Sequence, residues 1–184
     1  MDGRKASPGQ VRKARFLIQA IADYMGEHRI EAERDLKSAF VSGMYKVPAE
    51  AAFSLAECDR TTASRFLSFL VEFVIDNGVQ LDCPIAELCD DIKRTVYVSA
   101  LRKRCICCCA DAELHHVTRV GMGAGRAHMN HIGMPALPLC RYHHGEAHRM
   151  GDEAFCRLNH IEPIEIDERI AEVYSLRAGE ELHG

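Results

Sequence analysis

The sequence lacks the features of a membrane protein, an exported protein and a protein that coats nucleic acid. No apolar run approaches the length of about 18 residues that a membrane-spanning helix needs. No apolar stretch follows the opening MDGRKASPGQ, so we expect no export and a cytoplasmic location. The formal net charge of -4 argues against nucleic-acid binding by bulk positive charge, but not against local binding. With 184 residues and no internal repeat, the chain is sufficient for one domain or two small ones.

Cysteines are frequent, and their spacing predicts a zinc site. Five of the nine lie between Cys105 and Cys140, and without a signal peptide they are better interpreted as metal ligands and free thiols than as disulfides. Cys105-x-x-Cys108 has the spacing at which a tight turn directs two thiolates at one ion, and Cys140-x-x-His143 supplies a second pair. Four such ligands suit tetrahedral zinc. The register stays open, because Cys107 can replace either neighbour.

A group of histidines surrounds these cysteines. Residues four apart on a helix share a face, so His144 and His148 can bind one ion while His143 points towards the zinc. Adjacent residues in a strand point to opposite sides, so His115 and His116 should have different tasks. Packing explains a lone histidine, but it is a poor explanation for five at these spacings.

The ligand region is basic within an acidic chain. Between Lys93 and Arg149 there are nine basic residues and only three acidic ones. Such a cluster is usually a solvated face, but here it surrounds the metal ligands and is suited to bind phosphates. The candidates for these contacts are Arg104, Arg119, Arg126 and Arg141.

Apolar residues at helical spacing predict four helices before the ligand region, over residues 11–25, 31–41, 61–76 and 85–102. Gly26, Gly43 and Gly78 are the expected stops, and Asp59 or Thr61 is the expected cap of the third helix. Two further helices are predicted over 152–158 and 167–176. We therefore expect a helical N-terminal domain over residues 1–100 and a second domain over 101–184 that ends in a helix.

The stretches HHVTRVGMGAGRAHMNHIG and LPLCRYHHGEAH resemble the His-Asn-His (HNH) endonucleases, in particular those encoded by phages and prophages. A weaker similarity extends upstream through FSLAECDRTTASRFLSFLVEFVIDNGVQL. The resemblance implies an α+β protein in which a mainly helical N-terminal region precedes a zinc-stabilised, treble-clef-like ββα-metal nuclease domain. In that motif a hairpin and a helix surround one divalent ion.

The resemblance also implies roles for the histidines. His115 matches the first metal ligand, His144 matches the closing histidine that binds the same ion, and His148 is the expected third ligand. His116 matches the general base, and an imidazole with an ordinary pKa of about 6.5 is mostly neutral at cytoplasmic pH. The family chemistry implies magnesium or manganese and products with 5′-phosphate and 3′-hydroxyl ends, although three imidazoles also attract zinc or nickel.

The middle residue of the pattern differs from the family. Many members have asparagine a few positions before the second zinc pair, where this chain has Met134-Pro135-Ala136. We take His131 as the catalytic residue that orients the base, because of its position in the loop. Asn130 is the second candidate and His128 the third.

The leading hypothesis is a metal-dependent DNA endonuclease that processes or recombines phage or prophage DNA in a bacterial host. Its N-terminal helices would bind phage replication, recombination or packaging proteins; the form of DNA and the oligomeric state stay open. The alternative is a non-catalytic zinc module that binds nucleic acid or protein, which has no need of a free imidazole at His116. A redox or metal-storage role for CICCC is weaker, because it leaves the downstream histidines unused.

Overall fold

The computed structural model describes residues 4–45, 53–117 and 130–176. Residue contacts divide the chain into two compact units, Met1–Asp91 and Ile92–Gly184. Three of the candidate residues, Arg119, Arg126 and His128, lie outside the described ranges. Within those ranges, no helix has both the length and the apolar character needed to cross a membrane.

The first unit contains three long helices: α1 Pro8–Met25, α2 Arg29–Tyr45 and α3 Arg60–Asn77. Helix α1 begins earlier than predicted because Ser7 and Gln10 form a capping box, in which each side chain accepts a hydrogen bond from the other residue's backbone N–H. Pro8 occupies the first turn, where its missing N–H costs nothing. The helix ends at Gly26 in the left-handed conformation (φ 71°), as predicted.

Of the helix ends predicted at Gly43 and Gly78, the first was wrong and the second is confirmed. Helix α2 continues through Gly43, so the stop predicted there was wrong: a glycine costs a helix interior about 1 kcal/mol but does not break it. Helix α3 begins and ends as predicted. The Asp59 side chain accepts a hydrogen bond from the backbone N–H of Thr62 at 3.0 Å, and Gly78 ends the helix with a φ of 64°.

An aromatic cluster organises the core of the first unit. The Phe66 ring, on the buried stripe of α3, lies 5.2 Å from the Phe40 ring and 5.2 Å from the Phe53 ring, measured between centroids. Both contacts are edge-on, the geometry that aromatic quadrupoles prefer. The apolar stripe of α3 therefore serves the core, as its spacing predicted.

The predicted fourth helix is two elements instead of one. A 3₁₀ turn at Ile85–Glu87 is followed by a break, and helix α4 covers only Ile92–Leu101. At the break, the Asp90 carboxylate accepts hydrogen bonds from the side chains of Gln10 and Ser64 in the first unit. Aspartate favours such bonds over a helix interior, so the single helix over 85–102 was wrong.

The second unit combines helices with a small sheet. After α4 it contains β1 Glu113–His116, β2 Pro135–Leu139, α5 Arg141–Met150, α6 Asp152–Asn159, β3 Ile164–Glu165 and α7 Glu168–Val173. The three strands are antiparallel in the order β1-β2-β3. The fold is therefore helix-rich with one three-stranded sheet; the two-residue strand β3 was not predicted, because it is too short to show a periodicity.

The β1–β2 pair positions the histidines of β1. His115 lies opposite Leu137 and His116 opposite Ala136. Because side chains alternate along a strand, the two histidines point to opposite faces: His115 is 1% exposed, and His116 is partly exposed. Helix α5 starts two residues after β2 and packs against both strands, which brings its own histidines towards the buried face of β1.

Candidate metal centres and catalytic histidine

Four side chains converge at the start of α5. Cys105 and Cys108 lie in the loop between α4 and β1, Cys140 immediately precedes α5, and His143 lies in its first turn. Their four ligand atoms lie within 4.8 Å of one another. The structure thus brings together the four residues of the predicted zinc site, whereas Cys107 is buried without being part of this group.

The spacing of these atoms matches a tetrahedral zinc site. Zinc–sulfur bonds of about 2.3 Å and zinc–nitrogen bonds of about 2.0–2.1 Å at tetrahedral angles require an S–S separation of about 3.8 Å and S–N separations of about 3.6 Å. The Cys108–Cys140 sulfur separation is 3.8 Å. The His143 Nδ1 atom lies 3.5, 3.7 and 3.2 Å from the sulfurs of Cys105, Cys108 and Cys140. The cluster could therefore hold a metal ion such as zinc.

Backbone hydrogen bonds shape the loop that presents the first pair. The N–H of Cys105 donates to the Ala110 carbonyl at 2.7 Å, and the N–H of Cys109 donates back to the Cys105 carbonyl at 2.8 Å. Cys109 adopts a positive φ of 57°, which closes the turn. The N–H of Ile106 donates to the Pro138 carbonyl at 3.0 Å and fixes the loop on β2.

The thiols in this cluster differ in proton affinity. The hydrogen bond from the Cys107 thiol is the main cause that lowers the pKa of Cys105 to about 4, and the same bond raises the pKa of Cys107. Burial raises the pKa of the Cys108 thiol to about 12. A bound cation reverses that effect by stabilising the thiolate, so the donor set fits a soft divalent ion.

Three histidines form a second cluster between β1 and α5. The His115 ring lies 4.7 Å from the His144 ring and 4.9 Å from the His148 ring, and the latter two are 4.8 Å apart. Their ligand nitrogens lie within 4.8 Å of one another. Burial, followed by repulsion from the other two rings, lowers the pKa of His144. The imidazole of His144 is therefore neutral at neutral pH, which is the form that binds metal.

His116 contacts a different partner on the other face of β1. Its Nε2 atom lies 2.9 Å from Nδ1 of His131, which precedes β2. Burial first, then repulsion from His131, lowers the pKa of His116. The Asn130 side chain accepts a hydrogen bond from the backbone N–H of Ile132 and shapes the turn instead. Of the two middle-residue candidates that the structure describes, His131 contacts the predicted base.

A family model with the description "Putative HNHc nuclease" matches residues 1–177. The chain belongs to this HNH nuclease family. The match includes the His-rich region, so the resemblance found there is confirmed. It also includes the helical first unit, which is therefore part of what the family shares. Membership supports nuclease activity in general and implies DNA as the substrate. Comparisons with curated proteins and with solved structures give no match.

Two carboxylates lie beside the histidine cluster, and neither was among the predicted site residues. Asp152 Oδ1 lies 2.8 Å from His115 Nε2, and Glu113 Oε2 lies 3.4 Å from His144 Nδ1. The spacing of four residues from His148 to Asp152 gives no usable signal, because α5 ends at Met150 and Asp152 begins the next helix.

The two described arginines that were predicted to bind phosphates differ in their surroundings. Arg141, at the start of α5, is exposed, and among the described residues it makes no ion pair. It is three and seven residues before His144 and His148, so the three side chains lie along one face of α5. Arg104 donates a hydrogen bond to Asp111 at 2.6 Å. Of the two described candidates, Arg141 is therefore the better placed to bind an outside anion.

Proposed function

We propose that this HNH nuclease is a metal-dependent DNA endonuclease in which β1, β2 and α5 form the ββα-metal motif. The antiparallel strands are followed at once by α5, and the His115 ring packs against the histidines of α5. We further propose that Cys105, Cys108, Cys140 and His143 hold a structural zinc ion in a treble-clef-like arrangement, and that the domains are residues 1–100 and 101–184.

The observation that carries the proposal is a partly exposed imidazole, His116, that follows the cluster residue His115 in β1 and lies outside the three-histidine cluster, close enough for His115 and His144 to contribute to its lowered pKa. A site that only bound metal would have no use for such a group. If His131 Nδ1 accepts the hydrogen bond from His116 Nε2–H, the lone pair of His116 is confined to Nδ1. That nitrogen then takes a proton from the water that attacks the phosphorus, and His131 orients and polarises the ring.

The ion site would consist of His115, His144 and His148. A divalent ion held by these residues would stabilise negative charge on the scissile phosphate and the leaving oxygen. We propose magnesium or manganese for catalysis, with zinc or nickel as the alternatives that three imidazole donors also attract. The products would carry 5′-phosphate and 3′-hydroxyl ends.

Four arginines are proposed to bind DNA. Arg141 lies on the face of α5 that carries His144 and His148, so its guanidinium can bind a phosphate beside the scissile one. Arg104, Arg119 and Arg126 are proposed as further phosphate contacts on sequence grounds. We propose a role in phage or prophage DNA processing in the host cytoplasm, with the helical first unit binding a replication, recombination or packaging protein.

The test is a cleavage assay on supercoiled, single-stranded and branched DNA in magnesium, manganese or EDTA. The His116→Ala variant is compared with wild type and with His28→Ala, a control in the first unit, after zinc content is measured in all three. Cleavage that requires the ion, persists in His28→Ala and disappears in His116→Ala supports the proposal. No cleavage in any condition, with equal DNA binding by all three proteins, would favour the non-catalytic zinc module.

A further inference from the structure

The Asp152 carboxylate contacts the most buried histidine of the proposed ion site. Its Oδ1 atom lies 2.8 Å from Nε2 of His115, whose side chain is 1% exposed. The other ring nitrogen of His115, Nδ1, is buried and has no hydrogen-bond partner. A buried polar nitrogen without a partner is costly in a folded protein, so this atom requires an occupant.

The tautomer of His115 follows from these two contacts. A carboxylate only accepts hydrogen bonds, so the short contact places the proton of a neutral His115 on Nε2. The lone pair then resides on Nδ1, the nitrogen without a partner. Because a metal ion needs a lone pair, Nδ1 is the atom of His115 that can bind the ion.

The backbone around Gly151 places Asp152 in this position. Helix α5 ends at Met150, Gly151 has a φ of 88° and a ψ of 143°, and α6 begins at Asp152. The chain therefore changes direction before Asp152 instead of continuing α5. At the first residue of α6 the carboxylate is also favoured by the helix dipole, and its side chain is only 26% exposed.

We propose that Asp152 is a positioning residue that holds His115 in the Nε2–H tautomer and presents its Nδ1 to the divalent ion. Glu113 has the complementary contact, since it lies 3.4 Å from Nδ1 of His144 and leaves Nε2 of that ring for the ion. The two ligands thus bind through different nitrogens. This inference rests on the ion site of the proposed function and adds a carboxylate outside the set of ligands.

The first measurement reads the tautomer without DNA or catalysis. Nitrogen-15 NMR of the imidazoles in the zinc-loaded full chain, with no second ion added, distinguishes the Nε2–H from the Nδ1–H form of His115. We expect Nε2–H in wild type and a mixture of tautomers in Asp152→Ala. Predominant Nδ1–H in wild type would overturn the inference.

The second measurement is the affinity of the histidine cluster for manganese, determined by titration of the zinc-loaded protein. Loss of a carboxylate behind a metal-binding histidine typically weakens metal binding by about 10–100-fold. We expect that loss in Asp152→Ala and a smaller one in the isosteric Asp152→Asn, whose amide oxygen still accepts the Nε2–H bond. Glu153→Gln, on the adjacent exposed position of α6, is the matched control and should bind manganese as wild type does.

The outcomes separate this inference from the proposed function. Equal manganese affinity in folded Asp152→Ala and wild type would refute the positioning role. A loss in Asp152→Asn as large as in Asp152→Ala would make the carboxylate a direct ligand and would also refute it. If manganese binding follows the expected order but DNA is never cut, the inference stands and the nuclease proposal fails.

Discussion

With zinc in the four-ligand cluster, as proposed, removal of the ion should unfold the second unit and leave the first unit folded. The cluster joins the loop after α4 to the start of α5, and the hydrogen bonds that close this loop involve Cys105 and Cys109 themselves. Without an ion, the buried Cys105 thiol and the partly buried Cys108, Cys140 and His143 side chains keep their desolvation cost and lose the interaction that offsets it.

The expected size of the effect follows from the size of the unit. A domain of roughly 90 residues, as in Ile92–Gly184, has a free energy of unfolding of about 5–14 kcal/mol, at about 0.05–0.15 kcal/mol per residue. A structural zinc ion contributes about 10–16 kcal/mol of apparent binding free energy at neutral pH. The ion therefore contributes as much as the net stability of the unit, and the zinc-free unit should be largely unfolded.

The assay is hydrogen exchange by mass spectrometry on the full chain, with and without a strong zinc chelator. Amides of β2 and of the Cys105–Cys109 loop should lose protection, and those of α1 and α3 should keep it. Cys140→Ser should behave like the chelated protein. Cys107→Ser, which keeps a donor for the Cys105 thiolate, should retain zinc. Full protection of β2 in protein shown to be free of zinc would refute the reasoning.

Three further predictions concern the face of α5 and the base. Burial, followed by repulsion from His131, lowers the pKa of His116 below its ordinary value of 6.5. The cleavage rate should therefore stay high at pH values just below 6.5 and fall only at the lower pH where the neutral base is protonated. A pH–rate profile, with circular dichroism as a check that the protein stays folded, tests this. Arg141→Ala should weaken DNA binding and reduce the salt dependence of binding by about one phosphate contact, whereas Arg149→Ala should change neither. Fluorescence anisotropy titrations at several salt concentrations measure both quantities. Gly145 lies inside α5 with open space where a Cβ would be placed. Gly145→Ala should therefore stabilise the unit by up to about 1 kcal/mol, measured by thermal unfolding.

The parts of the site that the sequence predicted are those fixed by short spacing. Cys105-x-x-Cys108 and Cys140-x-x-His143 each lie within one turn of backbone, so their convergence follows from local geometry. Local geometry also predicts that His144 and His148, four residues apart, lie on one face of α5. The helix ends at Gly26 and Gly78 were predictable because capping is also local.

The parts that could not be predicted depend on contacts between distant residues. The break before α4 follows from hydrogen bonds between Asp90 and the side chains of Gln10 and Ser64, which are far away in sequence. The role of Asp152 depends on a contact with a histidine 37 residues earlier. His131 was selected from its position in the loop, but its contact with His116 also needs the register of β1 on β2, which no spacing of residues reveals.

The consecutive residues His143 and His144 serve different clusters, and this limits how the gene can change. One residue of helix corresponds to a rotation of about 100°, which is what directs the two rings to separate groups of ligands. An inserted or deleted codon between Cys140 and His148 would rotate one part of α5 relative to the other and exchange the faces of these rings. Substitutions at the positions between these ligands can be tolerated one at a time, but the length of this segment is fixed by both clusters at once.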